Sequence, residues 1–119
     1  MISLHEIIEK LELEPLCATG WEGRLVAAGY AADLLSCVMK SAPKDSVWVT
    51  LQSHLNIVAV ASLLNLAGVI ITEAHRPDQD TINRAEKEGV ILMLTPKTTF
   101  TVVGELTAMG VAGNPGVPV

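Results

Sequence analysis

Residues 46–72 have the sequence SVWVTLQSHLNIVAVASLLNLAGVIIT, which contains no Asp, Glu, Lys or Arg. An uncharged stretch of this length is long enough to cross a membrane. Polar residues interrupt it repeatedly, however: Gln52, Ser53, His54, Asn56, Ser62 and Asn65. Its two ends, 47–51 and 69–71, are rich in the β-branched residues of buried strands. We therefore interpret the stretch as a buried strand, a helix and a second buried strand, and expect no membrane insertion.

A short repeat extends this pattern toward the C-terminus. Residues 68–72 read GVIIT, residues 89–92 read GVIL, and Thr95 closes the second copy. Each copy joins a glycine, an apolar strand and a threonine. Strands that alternate with helices form a largely parallel sheet with right-handed crossovers. The sequence therefore predicts an α/β fold with three layers, in which helices flank a mostly parallel sheet.

The remaining periodicity and the turn residues complete the predicted order of elements. Strands are expected at 13–19, 24–28, 46–51, 69–72 and 90–94, and helices at 2–10, 31–40, 54–66, 78–88 and 98–110. Gly29 is expected to end the second strand, and the inner face of the second helix is expected to carry Leu34, Leu35, Val38 and Met39. Residues 1–110 are predicted to form one domain. Residues 111–119, with two prolines and two glycines, are predicted to form a flexible tail.

Composition narrows the classes of function. The chain has 119 residues, is 50% hydrophobic and has a formal net charge of -5, which disfavours binding to nucleic acid or to an anionic membrane. Cys17 and Cys37 each lie in an apolar run and are predicted to be buried free thiols rather than a disulfide framework. Charged residues throughout 2–14 argue against a signal peptide, so we expect a cytoplasmic location.

The predicted helix at 54–66 is apolar around most of its circumference, with His54, Ser62 and Asn65 on one narrow stripe. Such a helix is buried on more than one side. We therefore expect a homo-oligomer, most simply a dimer, that uses this helix or the helix at 31–40. The alternative is that the sheet and one other helix cover it.

Three strand-end loops, 50–54, 72–77 and 95–99, are the candidate site, because ligands bind at the carboxyl ends of parallel strands. They contribute the candidate ligand-binding residues Thr50, Gln52, Ser53, His54, Thr72, His75, Arg76, Thr95, Lys97 and Thr98. Cationic side chains and hydroxyls beside helix N-termini suit a carboxylate or a phosphate. The alternative is that the Ser and Thr residues only cap helices.

Catalytic patterns are lacking. The sequence has no phosphate-binding G-x-x-x-x-G-K-[ST] loop, and Gly20 and Gly23 do not form a dinucleotide fingerprint. His54 and His75 have no recognised metal-ligand spacing, and Ser53 and His54 are adjacent rather than arranged as nucleophile and base. We therefore expect no catalytic residues, no metal and no cofactor.

Three stretches together resemble a known family. They are 29–36 (GYAADLLS), 51–61 (LQSHLNIVAVA) and 67–72 (AGVIIT) followed by Arg76 and Pro77. In this order and spacing they resemble small DRTGG-domain proteins over about residues 14–108. The resemblance implies a fold like the N-terminal domain of HPr kinase/phosphorylase, without the kinase activity that belongs to a separate domain of that enzyme.

The resemblance also implies a function. It points to a non-catalytic regulatory or scaffold domain that senses a small anionic ligand or contacts a metabolic or redox enzyme. The alternative is a nucleotide-binding module that uses the three strand-end loops. The sequence departs from the family pattern at one place that matters for both functions. The family often has a glycine pair after its loop threonine, and this chain has Glu73-Ala74-His75 there.

Overall fold

The computed structural model describes residues 1–17 and 20–113. The helices are α1 (Leu4–Leu11), α2 (Leu35–Ser41), α3 (Asn56–Leu63), α4 (Gln79–Glu88) and α5 (Thr99–Ala108). The strands are β1 (Ile2–Ser3), β2 (Glu14–Pro15), β3 (Leu25–Val26), β4 (Ala28–Ala31), β5 (Ser46–Thr50), β6 (Gly68–Ile71) and β7 (Leu92–Leu94). Within the described part of the chain, every helix is too short or too polar to cross a membrane.

The main sheet has five strands in the order β2-β7-β6-β5-β4. β4, β5, β6 and β7 pair in parallel, and β2 adds to β7 as an antiparallel edge strand. β1 and β3 form a separate antiparallel pair. All five residues of β5 and all four of β6 are buried, as expected of parallel strands covered on both faces. The predicted α/β fold with a mostly parallel sheet is confirmed.

Helices cover both faces of this sheet. On one face, α2, α3 and α4 pack around Trp48, whose indole N–H donates to the carbonyl of Ala32 at 2.8 Å. On the other face, α1 and α5 pack against alternate strand residues such as Val47, Ile70 and Met93. Successive side chains of a strand point to opposite faces, so each central strand supplies both cores. The predicted three-layer arrangement is confirmed.

The segment between β4 and α2 differs from the prediction. β4 runs through Gly29 to Ala31, and α2 begins only at Leu35, because residues 32–34 form a loop that bonds to the end of β5. Of the predicted inner face only Val38 is fully buried, while Leu34 and Met39 are 64% and 50% exposed.

The predictions for the two cysteines and for two other elements also need correction. Cys37 is exposed on α2 and Cys17 is half-buried. The predicted strand at 13–19 is only Glu14–Pro15 within its described residues, and the helix predicted at 54–66 spans only Asn56–Leu63.

The C-terminal end of the described chain packs on the sheet. Val111 is buried, and the carbonyl of Ala112 accepts a hydrogen bond from the Gly29 N–H at 3.0 Å. Residues 114–119 of the predicted tail lie outside the described residues. The division of the chain at residue 110 stays a prediction.

Candidate functional site

The parallel pairing of β5, β6 and β7 brings their carboxyl ends to one edge of the sheet. The loops that follow β5 and β6 leave a cavity of about 670 Å³, here called the strand-end cleft. Its lining residues are Leu51, Gln52, Ser53, His54, Leu55, His75, Arg76, Asp78, Asp80 and Thr81. This volume lies within the range of pockets that hold small ligands.

The structure divides the ten candidate residues into two groups. Five line the strand-end cleft: Gln52, Ser53, His54, His75 and Arg76. The other five do not line it, and their polar groups bond elsewhere: Thr50, Thr72, Thr95, Lys97 and Thr98. The first group remains the candidate ligand-binding set, and the second supports the fold.

One residue that sequence reasoning placed in a helix shapes the cleft. The Asp33 carboxylate accepts hydrogen bonds from the Thr50 hydroxyl at 2.8 Å and from the Leu51 N–H at 3.0 Å. The Gln52 amide donates to the Asp33 carbonyl at 3.1 Å. Asp33 therefore fixes the start of the loop that carries Gln52, Ser53 and His54. The sequence signal that could have pointed to Asp33 is its position in the GYAADLLS stretch, one of the three that resemble the family.

The loops after β6 and β7 are bonded directly to each other, and 72–74 with 95–99 are here called the clasped loops. The Glu73 and Ala74 N–H groups donate to the carbonyls of Lys97 and Thr95, each at 2.9 Å. The buried Thr72 hydroxyl lies 2.8 Å from that of Thr99. Of the candidate ligand-binding side chains, Thr72 therefore has its hydroxyl engaged within the protein.

Lys97 and Thr98 also have structural roles in the clasped loops. The Lys97 ammonium donates to the Leu11 carbonyl at 3.0 Å and pairs with Glu105 at 3.0 Å. The Thr98 hydroxyl caps α5 by accepting from the Thr101 N–H. Here the alternative interpretation, that the threonine caps a helix, is the one observed.

The backbone is left-handed where the resembled family often has a glycine pair. Glu73 has φ 57° and Ala74 has φ 58°. A residue with a β-carbon pays about 1–2 kcal/mol for this conformation. The two interloop hydrogen bonds made by these residues offset that cost.

The charges in the strand-end cleft are mixed. One guanidinium nitrogen of Arg76 donates to both carboxylate oxygens of Glu14 at 2.7 Å. The Asp78 carboxylate caps α4, and its bond from the Thr81 N–H holds the pKa of Asp78 below its usual value. Asp80 adds a second carboxylate. The paired arginine and the two acids make the cleft unsuited to a highly charged polyanion.

The two cleft histidines have different environments. The His75 Nδ1 lies 3.1 Å from the carbonyl of Leu51, which joins the loops after β5 and β6. The His54 Nδ1 accepts a long hydrogen bond of 3.4 Å from the Asn56 N–H. Within the described part of the chain the Nε2 atoms have no hydrogen-bond partner, so each ring has a second nitrogen for a ligand. Among residues 1–17 and 20–113, no three His, Cys, Asp or Glu side chains cluster as metal ligands.

Comparison with known proteins identifies the fold and the family. The chain is similar to the crystal structure of the CBS and DRTGG domains of the regulatory region of Clostridium perfringens pyrophosphatase, complexed with its activator diadenosine tetraphosphate. The TM-score is 0.71 at 21% identity, over 87% of this chain and 45% of that chain. The chain thus spans less than half of that neighbour.

No curated protein matches the chain. The DRTGG domain model matches residues 22–109, which is most of the sequence, and this match confirms the resemblance seen in the three sequence stretches. The protein therefore belongs to the DRTGG domain family.

Proposed function

We propose that this protein is a non-catalytic regulatory domain that senses a nucleotide of low charge at the strand-end cleft. The observation that carries the proposal is the composition of this cleft, where His54, His75 and Arg76 lie in the same cavity as Asp78 and Asp80. Histidine and arginine side chains bind phosphate oxygens. Carboxylates accept hydrogen bonds from hydroxyl groups such as those of a ribose.

The charge balance favours a nucleoside monophosphate over a triphosphate. Arg76 already pairs with Glu14, so part of its positive charge is compensated before a ligand arrives. Asp78 and Asp80 would repel additional phosphates. The nucleotide activator bound by the structurally similar pyrophosphatase region makes nucleotides the first ligands to test. A small anionic metabolite without a base is the second candidate.

We further propose that the domain is cytoplasmic and forms a homodimer through α2. The same surface could instead contact a partner enzyme. Leu34, the N-cap residue of α2, is 64% exposed, and Met39, within α2, is 50% exposed. Apolar side chains exposed along one short segment favour a protein contact. Light scattering of the wild type and of Leu34→Asp tests this, and a monomeric wild type would contradict it.

Isothermal titration calorimetry with AMP and with ATP tests the ligand. We expect AMP to bind, ATP to bind more weakly, and AMP to raise the melting temperature, because a ligand that binds the native state stabilises it. Absence of binding by both would contradict nucleotide sensing. Release of phosphate from ATP, or transfer of phosphate to a protein acceptor, would contradict the non-catalytic assignment.

A further inference from the structure

A second, apolar cavity lies between α3 and α4 and has a volume of about 560 Å³. It is here called the α3–α4 groove, and its lining residues are His54, Leu55, Asn56, Val58, Ala59, Ser62, Leu63, Arg84 and Glu88. We infer that this groove holds the base of the nucleotide whose phosphate occupies the strand-end cleft. The inference rests on the proposed function and adds the location of the base.

The two cavities are adjacent and share part of their walls. His54 and Leu55 line both of them, just before the first residue of α3. A ligand that extends across these two residues would therefore reach from the polar loops to the groove. A nucleotide has this division, because a charged phosphate is joined through its ribose to an uncharged planar base.

The chemistry of the groove suits a base and excludes a phosphate. Its side walls include the apolar residues Leu55, Ala59 and Leu63, and Leu63 is 70% exposed. Among the described residues that line it, the charged ones are Arg84 and Glu88, which pair with each other at 3.4 Å. The groove is therefore nearly neutral, and an apolar ring that covers it removes exposed apolar surface from water.

Two polar side chains in the groove match the edge of a base. Asn56 and Ser62 line it, one at the start and the other near the end of α3. An amide offers both a donor and an acceptor, and a hydroxyl offers either. Few polar groups in a mostly apolar cavity are the usual composition of a small-molecule site. This composition favours a nucleotide base as the occupant of the groove over the surface of a second copy of the protein.

The test compares AMP with ribose 5-phosphate, which carries the same sugar and phosphate but lacks the base. For the wild type we expect AMP to bind roughly tenfold more tightly than ribose 5-phosphate in calorimetric titrations. Ala59→Trp fills the groove from the exposed side of α3 and should reduce the affinity for AMP to that for ribose 5-phosphate. The affinity for ribose 5-phosphate itself should stay unchanged. Ala108→Trp, at an exposed position of α5, is the matched control.

The possible outcomes distinguish failure of the groove inference from failure of the proposed function. If neither probe binds the wild type, the proposed function fails. If both bind equally and Ala59→Trp changes neither, the cleft binds ligand and the groove inference is overturned. If Ala59→Trp converts a dimer to a monomer and leaves the AMP preference intact, the groove is an interface between copies and the inference is also overturned. Ser62→Tyr repeats the test from a second exposed position should Ala59→Trp not fold.

Discussion

The two halves of the sheet edge use similar residues in different ways. Between β5 and β6 the loops leave an open cleft whose histidines and arginine face a cavity. Between β6 and β7 the clasped loops bond to each other through Glu73, Ala74, Thr95 and Lys97. Both halves follow parallel strands, and both are rich in hydroxyl and cationic side chains. The halves differ because backbone N–H groups in the loop after β6 donate hydrogen bonds to backbone carbonyls in the loop after β7.

This difference shows when a polar strand end can serve a ligand. A hydroxyl or ammonium that already has a buried protein partner contributes to stability, and removing it leaves that partner unsatisfied. A side chain with a free polar atom at a cavity can be removed with little effect on stability, but its removal lowers the affinity for a ligand. Stability and affinity should therefore respond to opposite sets of substitutions.

The largest effect on stability is expected for Thr72→Val in the clasped loops. Thr72 is fully buried, and its hydroxyl lies 2.8 Å from that of Thr99 and 3.4 Å from the Thr50 carbonyl. Valine keeps the shape and leaves these partners unsatisfied, so urea denaturation should show a loss of about 1–3 kcal/mol. Thr107→Val, on the exposed part of α5, is the control and should change stability by less than about 0.5 kcal/mol. Equal effects at both positions would contradict the structural role of the clasped loops.

The corresponding substitution in the open half is His75→Ala. We expect the affinity for AMP to fall about tenfold, which is about 1.4 kcal/mol, because the ring supplies a hydrogen bond to the ligand. The free energy of unfolding should change by less than about 0.5 kcal/mol, since the ring is exposed. His5→Ala on α1 is the matched control and should leave affinity unchanged. Loss of stability without loss of affinity would place His75 with the clasped loops.

Ala74→Gly tests the strain held by the clasped loops. Glycine adopts φ 58° without the steric cost that alanine pays, so the free energy of unfolding should rise by about 0.5–1 kcal/mol after the entropy of the unfolded glycine is counted. Ala59→Gly in α3 makes the same chemical change at a helical position and should lower stability by about 1 kcal/mol. A loss of stability in both variants would show that the backbone conformation at Ala74 carries no strain.

Much of the fold could be predicted because its signals are local. The helix predicted at 78–88 corresponds to α4, which Asp78 caps with its side chain and Gly89 ends in the left-handed conformation. The apolar runs of β5 and β6 identify buried strands because every residue in them is covered. These features depend on neighbouring residues alone.

The remaining features depend on contacts distant in sequence. Asp33 precedes a helix and suits a first helical turn by composition, yet its carboxylate bonds to Thr50 and Leu51 across the sheet edge. Parallel topology placed the candidate site at the strand ends. It could not show that Lys97 reaches the Leu11 carbonyl, because Leu11 lies 86 residues away in sequence. Such pairings are decided by packing of the whole domain.

Glu14→Gln should strengthen ligand binding by a small amount. Glu14 and Arg76 are both about half exposed, so their ion pair contributes only about 0–1 kcal/mol to stability. Without the carboxylate charge, Arg76 is available to a phosphate, and the affinity for AMP should rise about threefold in low salt. Glu9→Gln on α1, which removes a charge from another surface pair, should leave the affinity unchanged. A weaker affinity in Glu14→Gln would mean that the ion pair holds Arg76 in its binding position.

The smallest expected effect is a pH dependence at the cap of α4. The Thr81 N–H holds the pKa of Asp78 below 3.8, so the ionised carboxylate stabilises the folded state above pH 3.8 and this contribution is lost as pH falls through the folded-state pKa. Asp78→Asn keeps an oxygen that accepts from Thr81 but has no charge. The stability advantage of the wild type over Asp78→Asn in urea denaturation should therefore be present at neutral pH and disappear in acid. Asp78→Ser, a second neutral cap, should follow Asp78→Asn, and an advantage that persists in acid would show that shape rather than charge makes the difference.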